Sequence, residues 1–131
     1  MARYLSPEWL DEVDAVARGS EELPELVGDA GLVIQQVVAG TPEGDVRYAV
    51  RIGDGSVSVV PGEAADADVT VREDYETAVA LHRGELRAPV AFMTGRIAVS
   101  GDLQALFRAQ PVLRQLDAVF AGVRDRTTYE P

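Results

Sequence analysis

The single histidine of the chain, His82, is the first residue to examine for catalysis. Acid–base work would need a nucleophile or a carboxylic acid placed beside it, and the sequence places neither there. The chain has no cysteine, so it has no thiolate nucleophile, no disulfide and no cysteine-bound metal. One histidine also rules out a multi-histidine metal site. We therefore expect no enzyme and no cofactor, with His82 near a helix end, where it would cap carbonyls or border a cavity.

Acidic side chains gather in the middle of the chain and could hold a cation. They are Asp66, Asp68, Glu73, Asp74 and Glu76. Residues 66–72 alternate apolar and polar in the manner of a strand, and Asp74 stands where a helix would begin. A solvated strand edge followed by a helix cap explains this composition better than a metal site, so we predict no bound metal.

Three arginines and two tyrosines could recognise the polar end of a ligand. Arg83, Arg87 and Arg96 lie close together in an acidic chain and could meet a carboxylate or a phosphate. Solvation, or pairing with nearby acids, is the alternative that we favour. Tyr48 and Tyr75 could offer a hydroxyl to the same headgroup. Core packing is the simpler interpretation of both rings.

The overall charge argues against several classes of partner. Over 131 residues the chain carries 22 acidic and 12 basic side chains, a net charge of −10, and every basic residue is arginine. Such a surface repels phosphate backbones and anionic membranes, so we predict neither nucleic-acid binding nor stable membrane anchoring. No apolar run approaches the ~18 residues of a membrane span, and the first residues lack the apolar core of a secretion signal. A cytoplasmic location is expected.

The first part of the chain favours helices. Ser6, Pro7 and Glu8 form a typical helix start, with a hydroxyl cap, a proline in the first turn and an acid near the positive end of the dipole. Apolar residues then recur at helical spacing up to residues 18–19. Residues 20–27 predict a second, short helix, so residues 1–30 form an N-terminal helical segment.

Residues 32–72 change to the alternation that is typical of strands. We predict strands at 32–38, 46–52, 56–60 and 66–72, separated by turn-forming residues. The alternation is clearest in the second strand, where one face carries Val46, Tyr48, Val50 and Ile52. Strands with one apolar face predict a sheet that is covered on one side.

The next part alternates helices with one further strand. Asp74 should cap a helix that ends at Gly84, and a short helix that begins at Pro89 should end at Gly95. Glycine suits both ends because it adopts the left-handed closing conformation without a steric penalty. Residues 96–100 then form the fifth strand.

The last part of the chain is helical. Asp102 should cap one helix, and residues 111–123 carry the most regular amphipathic pattern of the sequence. We expect residues 124–131 to be a frayed polar tail. Residues 1–131 therefore predict a single α+β domain with a five-stranded, mainly antiparallel sheet and helices packed on one face.

Apolar side chains near the last helices form the candidate binding site. Phenylalanine and methionine together suit an adaptable pocket, because the thioether chain refits to irregular ligands. The predicted ligand-binding residues are Phe92, Met93, Ile97, Phe107, Leu113, Leu116, Phe120, Tyr48 and Leu81. Ordinary core packing is the alternative for each of them taken singly.

One run of residues resembles a known family. Residues 91–102 read Ala-Phe-Met-Thr-Gly-Arg-Ile-Ala-Val-Ser-Gly-Asp, after Arg-Gly-Glu-Leu at 83–86 and Ala-Asp-Val-Thr-Val at 67–71. This order is similar to that of the sterol carrier protein type-2 family, in particular its small stand-alone bacterial members. The likeness is strong over residues 45–120. The absence of lysine and asparagine agrees with the codon bias of GC-rich bacteria.

The resemblance implies an apolar tunnel between the sheet and the helices. Family members bind sterols, fatty acids, acyl thioesters or phospholipids without covalent chemistry, and the fold also serves as an accessory domain of larger enzymes. Two features depart from the family. The chain ends in Tyr-Glu-Pro, where eukaryotic carriers often end in a peroxisomal targeting tripeptide, which agrees with a cytoplasmic bacterial protein. Arg87 stands where relatives often have a capping acid or serine, which loosens the local helix start.

Two functions remain after these arguments. The first is the non-catalytic binding, and the transfer, of an apolar lipid such as a sterol, a fatty acid or an acyl thioester in that tunnel. The second is an accessory or oligomerisation domain without a ligand of its own, whose apolar faces pair with a second copy or with a partner enzyme. The missing cysteine and the single histidine disfavour an enzyme.

Overall fold

The first helix begins at its expected cap. The computed structural model describes residues 2–28 and 31–129, and helix α1 spans Pro7–Arg18. The Ser6 side chain accepts a hydrogen bond from the Trp9 N–H at 3.1 Å, which satisfies one of the free donors of the first turn. Helix α1 buries Trp9, Leu10, Val13 and Ala17. A short helix α2 follows at Leu23–Val27.

The remaining elements keep the expected order, with short strands added near both ends of the chain. The strands are β1 (Ala2–Arg3), β2 (Leu32–Thr41), β3 (Gly44–Gly53), β4 (Ser56–Pro61), β5 (Val69–Asp74), β6 (Ile97–Gly101) and β7 (Thr127–Thr128). The later helices are α3 (Tyr75–His82), α4 (Ala88–Met93), α5 (Leu103–Arg108) and α6 (Gln110–Gly122). Asp74 and Asp102 cap α3 and α5, accepting from the N–H groups of Thr77 at 2.7 Å and Ala105 at 3.1 Å.

Five strands form the main sheet in the order β4-β3-β2-β5-β6. Strand β2 is antiparallel to β3 and parallel to β5, while β3–β4 and β5–β6 are antiparallel pairs. The parallel pair arises because the chain leaves β4 at one edge of the sheet and crosses to the other side of β2 before it enters β5. The predicted α+β fold with a mainly antiparallel five-stranded sheet is confirmed.

The helices lie on one face of this sheet. Residues that are directly opposite across two strands share a face, so the register identifies the side chains that point to the helices. On β2, β3 and β4 the buried members of that face are Leu32, Ile34, Val38, Tyr48, Val50, Ile52, Val57 and Val59. Helices α1 and α2 pack on β4, α3 packs on β2 and β5, and α4 packs on β6. Helix α6 packs against α1 and α2.

Residues 62–68 cross the opposite face of the sheet, where a buried glutamine holds them. The Gln35 Nε2 donates to the carbonyl oxygens of Tyr48 at 3.1 Å and Gly62 at 3.2 Å. Its Oε1 accepts from the N–H of Ala64 at 2.6 Å. The Gln35 amide thus forms hydrogen bonds with backbone groups of both the sheet and the loop. Burying these polar groups therefore costs little free energy.

Strand β5 begins three residues later than expected, because the residues before it belong to the loop that crosses the sheet. We predicted a strand at residues 66–72, and the structure has one at Val69–Asp74. Asp66 instead pairs with Arg51 through two bonds of 2.8 and 3.0 Å. The Asp68 carboxylate accepts from the N–H of Val33 at 2.8 Å.

The C-terminal segment lies against the N-terminus, unlike the frayed tail that we expected for residues 124–131. A 3-10 helix, Arg124–Arg126, leads into β7, which pairs with β1 in parallel. Thr127 is buried, and its hydroxyl donates to the Val123 carbonyl at 2.7 Å. Polar composition predicts fraying, but these buried contacts oppose it. The residues outside the described ranges are Met1, Asp29, Ala30, Glu130 and Pro131.

Candidate functional site

The helix layer seals one half of the sheet and leaves the other half partly open. On the helix-facing side of β5 and β6, Val71, Glu73, Ile97 and Val99 are only half-buried. The side chains on the same face of β3 and β4 are mostly buried. Half-buried apolar side chains on the inner face of a sheet are available to an apolar ligand in a way that core side chains are not.

Large apolar side chains are exposed on the two helices that flank β6. They are Val90, Phe92 and Met93 of α4 and Leu103 and Phe107 of α5, and we call this set the open edge. Met93 is 83% exposed, Phe107 65% and Phe92 50%. Helix α4 joins β6 through residues 94–96, and α5 joins it through Asp102 alone. Strand β6 is an edge strand, so α4, which packs on it, lies at one border of the sheet.

The structure divides the nine predicted site residues into three groups. Phe92, Met93 and Phe107 belong to the open edge and are exposed. Those that are half-buried are Leu81, Ile97, Leu113 and Phe120. Those that are buried in the core are Tyr48 and Leu116. Helix α6 contributes to both the half-buried group and the buried group.

An aromatic cluster fills the interior next to these residues. Tyr4 lies at its centre, with ring centroids 4.9 Å from those of Trp9 and His82 and 5.4 Å from that of Tyr129. The other rings of the cluster are Tyr48 and Phe120, both of which contact Trp9, and Tyr75, which contacts Tyr4. The Tyr4 hydroxyl donates to the Ala78 carbonyl at 3.1 Å. The sequence did not point to this cluster, because Tyr4 and Tyr129 come from opposite ends of the chain.

His82 lies in the last turn of α3, near a helix end as expected, and its ring is part of the cluster. Its Nδ1 contacts the Tyr129 hydroxyl, and its ring stacks on that of Tyr4. Its Nε2 is buried, with no hydrogen-bond partner among the described residues. Burial lowers the pKa of His82 to about 4, and the Arg124 guanidinium adds to this effect. The imidazole is therefore neutral at physiological pH.

Glu73 is a titratable group that sequence reasoning placed among solvated acids. The register puts its side chain on the helix-facing side of β5, level with Val38 and Ile97. Burial raises the pKa of Glu73 to about 7, with a smaller contribution from the Asp74 carboxylate. Its charge also adds to the burial that raises the pKa of Tyr48. The alternation of β5, once its register is known, is the signal that turns Glu73 inward.

Two other acids of the predicted cluster, Asp66 and Asp74, bind different partners. Asp66 binds Arg51, whose hydrogen bonds hold the pKa of this carboxyl below its usual range. The Asp74 carboxylate caps α3, and its hydrogen bonds to Thr77 lower its pKa, with help from the charge of Arg96. Within residues 2–28 and 31–129, no group of histidine and acidic side chains could hold a metal ion.

A cavity of about 270 Å³ lies between the N-terminal segment and the β2–β3 hairpin. Its walls are largely apolar and its rim is charged. Tyr4, Leu10, Val46 and Tyr75 are among its lining residues. Arg3 and Glu43 form an ion pair of 2.8 Å at this place. The volume lies slightly below the roughly 300–1,000 Å³ of typical ligand pockets, and none of the nine predicted residues lines it.

The model of the SCP-2 sterol transfer family matches residues 13–114, well over half of the chain. The chain belongs to this family. In this SCP-2 family protein the match includes the whole five-stranded sheet and the open edge, whereas β1 and β7 lie outside it. The resemblance carried by residues 91–102 is therefore confirmed.

Solved structures of similar fold agree with the family assignment. A crystal structure of sterol carrier protein 2 is 20% identical and covers 91% of this chain and 98% of its own, with a TM-score of 0.73. A conserved hypothetical protein of Thermus thermophilus is also 20% identical, covering 94% and 91%, with a TM-score of 0.73. The ubiquinone synthesis protein UbiJ-SCP2 is 19% identical, covering 88% and 87%, with a TM-score of 0.55. No curated protein sequence matches the chain significantly.

Membership of the family supports lipid binding or transfer as the general function of this SCP-2 family protein. In the described part of the chain, no helix has both the length and the apolar character that crossing a bilayer requires.

Proposed function

We propose that this SCP-2 family protein binds one apolar lipid, without catalysis, between the helix layer and the β5–β6 half of the sheet. The observation that carries the proposal is the unequal covering of the inner face. Val71 and Val99 are half-buried, while the same face of β3 and β4 is largely sealed. An acyl chain or a sterol ring system laid against them would remove apolar surface from water.

The half-buried residues would form the wall of this site and the open edge its cover. We assign the wall to Leu81, Ile97, Leu113 and Phe120, with Tyr48 and Leu116 behind it. Phe92, Met93 and Phe107 would close over the bound lipid, because each exposes large apolar surface on a short helix. Short helices with few buried side chains rearrange at low cost.

The burial of apolar ligand surface provides enough free energy for micromolar affinity. A ligand that buries about 400 Å² of apolar surface gains roughly 10 kcal/mol before costs. Losses of translational freedom and the ordering of side chains remove a large part of that gain. Dissociation constants in the micromolar range are therefore expected.

Glu73 would meet the polar end of the ligand. With a pKa raised to about 7, its carboxyl is half protonated near neutral pH and can donate as well as accept a hydrogen bond. A hydroxyl or ester group can bond to either form of this carboxyl, and the carboxylate of a fatty acid can accept a hydrogen bond from its protonated form.

The test is a titration in solution with a fluorescent fatty acid, combined with native mass spectrometry of the purified protein. We expect a co-purified lipid and micromolar binding, weakened by Phe107→Asp. Leu26→Asp is the matched control, because Leu26 is an exposed apolar residue of α2, 41% exposed, away from the open edge. A protein that purifies empty and leaves the probe unperturbed would refute the proposal.

The second candidate is an accessory domain that supports a partner enzyme in the cytoplasm. It is favoured by the exposed open edge and by the likeness to UbiJ-SCP2, a ubiquinone synthesis protein. On this proposal the open edge would pair with another chain and no lipid would co-purify. The same mass spectra separate the two candidates, because a bound lipid and a bound protein differ greatly in mass.

A further inference from the structure

Charge is distributed unevenly along the chain, and the segment that contains the open edge is basic. Residues 83–114 hold five arginines and two acids, a net charge of +3, whereas the rest of the chain carries −13. All five exposed apolar residues of the open edge lie within this segment. A basic and apolar surface on an otherwise acidic protein needs a partner that is itself anionic and apolar.

The arginines of this segment are not all neutralised by neighbouring acids. Arg83 pairs with Glu85 at 3.6 Å, and Arg96 lies close enough to Asp74 to lower the pKa of that carboxyl. Arg87 and Arg108 are exposed, and neither has an ion-pair partner among the described residues. Arg87 immediately precedes α4, and Arg108 ends α5. Both guanidinium groups therefore flank the exposed apolar side chains.

We propose that the open edge is a docking surface for anionic lipid bilayers, with Phe92, Met93 and Phe107 entering the headgroup boundary and Arg87 and Arg108 contacting lipid phosphates. Short helices that carry apolar side chains between arginines fit this boundary, because long basic side chains reach the phosphates while the apolar ones lie deeper. The proposal departs from the expectation, drawn from the net charge of the whole chain, that anionic membranes repel this protein.

Screening explains how an acidic protein can bind an anionic surface. At about 0.15 M salt, charges more than roughly 8 Å from the bilayer are largely screened. The bilayer therefore interacts electrostatically mainly with the basic segment. At about 0.01 M the screening length is roughly 30 Å, and the acidic remainder of the molecule repels the bilayer as well. Binding should therefore be strongest at intermediate salt and should weaken in both directions.

The experiment is co-sedimentation of the whole protein with vesicles of phosphatidylcholine, with and without phosphatidylglycerol. Binding is expected only with phosphatidylglycerol. Arg87→Gln and Arg108→Gln should each weaken it about fivefold, and Met93→Gln about tenfold. Arg72→Gln is the matched control, because Arg72 is exposed on the opposite face of the sheet and makes the same change of charge.

Several results would overturn the proposal. They are the absence of binding at every salt concentration, equal binding to both vesicle types, or equal losses in Arg72→Gln and Arg87→Gln. A dimer in solution that Met93→Gln dissociates would assign the open edge to a second copy instead. Binding of a fluorescent fatty acid in the absence of vesicles tests the ligand site separately, and Arg87→Gln should leave it unchanged.

Discussion

The indole Nε1 of Trp9 donates a hydrogen bond to the Oγ1 of Thr127 at 3.2 Å, across 118 residues of sequence. Both side chains are buried. The same threonine donates to the Val123 carbonyl, so its hydroxyl satisfies a donor and an acceptor that are removed from water. This bond ties the first helix to the strand β7, which in turn pairs with β1. The two ends of the chain therefore stabilise each other outside the region that the family model matches.

Replacing this threonine tests whether the chain ends contribute to stability. Thr127→Val keeps the size of the side chain but leaves the Trp9 donor unpaired, which should lower the free energy of unfolding by about 1–3 kcal/mol. Urea denaturation measures the change. Thr128→Val is the control on the exposed neighbour and should change the free energy by less than about 0.5 kcal/mol. Equal losses in the two variants would show that strand propensity, and not the buried bond, is responsible.

A second substitution tests the turn that leads from β6 into α5. Gly101 has φ of +104°, and a Cβ added there would overlap the carbonyl oxygen of Asp68. Gly101→Ala should therefore cost about 3 kcal/mol or more, from left-handed strain and overpacking together. Gly95 also has a positive φ, of +77°, but has open space around it. Gly95→Ala should cost about 1 kcal/mol, so a similar loss in both variants contradicts the close contact.

Local sequence chemistry was sufficient for the caps and for most of the strands. Ser6, Asp74 and Asp102 cap helices as predicted, because the capping bond joins residues only three positions apart. Alternation likewise predicted β3 and β4, since each has one face against the core. The family motif at residues 91–102 pointed to the family that the match confirms.

Features that depend on contacts between distant residues could not be predicted in this way. Tyr129 is held by His82 and Tyr4, so nothing in the polar composition of the last residues reveals that they are ordered. Glu73 turns inward because β5 continues to Asp74, whereas we predicted a strand that ends at residue 72 and left Glu73 outside its alternation. The degree of exposure of Phe92 and Met93 depends on where α4 lies beside β6, and the sequence contains no signal for that position.

The single histidine offers a direct test of the aromatic cluster. Because burial lowers the pKa of His82 to about 4, its imidazole should stay neutral down to nearly pH 5. The unfolded chain would bind a proton at its usual pKa of about 6.5. The contribution of His82 to the free energy of unfolding is therefore complete above about pH 6.5 and is lost as the pH falls toward 4. NMR titration of the only imidazole in the chain measures this pKa, and a midpoint near 6.5 would contradict the buried position.

Glu73 should have the opposite effect on stability over nearly the same range of pH. Its pKa is about 7 in the folded protein and near 4.5 for an ordinary glutamate, so the folded state holds the proton more tightly. The contribution of Glu73 to the free energy of unfolding is therefore complete at low pH and is lost as the pH rises from about 4.5 through 7.

The substitution Glu73→Gln separates this effect from that of His82. It should raise the free energy of unfolding by about 1–3 kcal/mol at pH 8, where burying the carboxylate is costly, and change it little at pH 4. Urea denaturation of both proteins at the two pH values gives the difference directly, since His82 contributes equally to each. Glu76→Gln, on the exposed first turn of α3, is the matched control. A difference that does not vary with pH would mean that Glu73 is charged and solvated in the folded protein. In that case it could not serve as a neutral hydrogen-bond donor to a lipid headgroup.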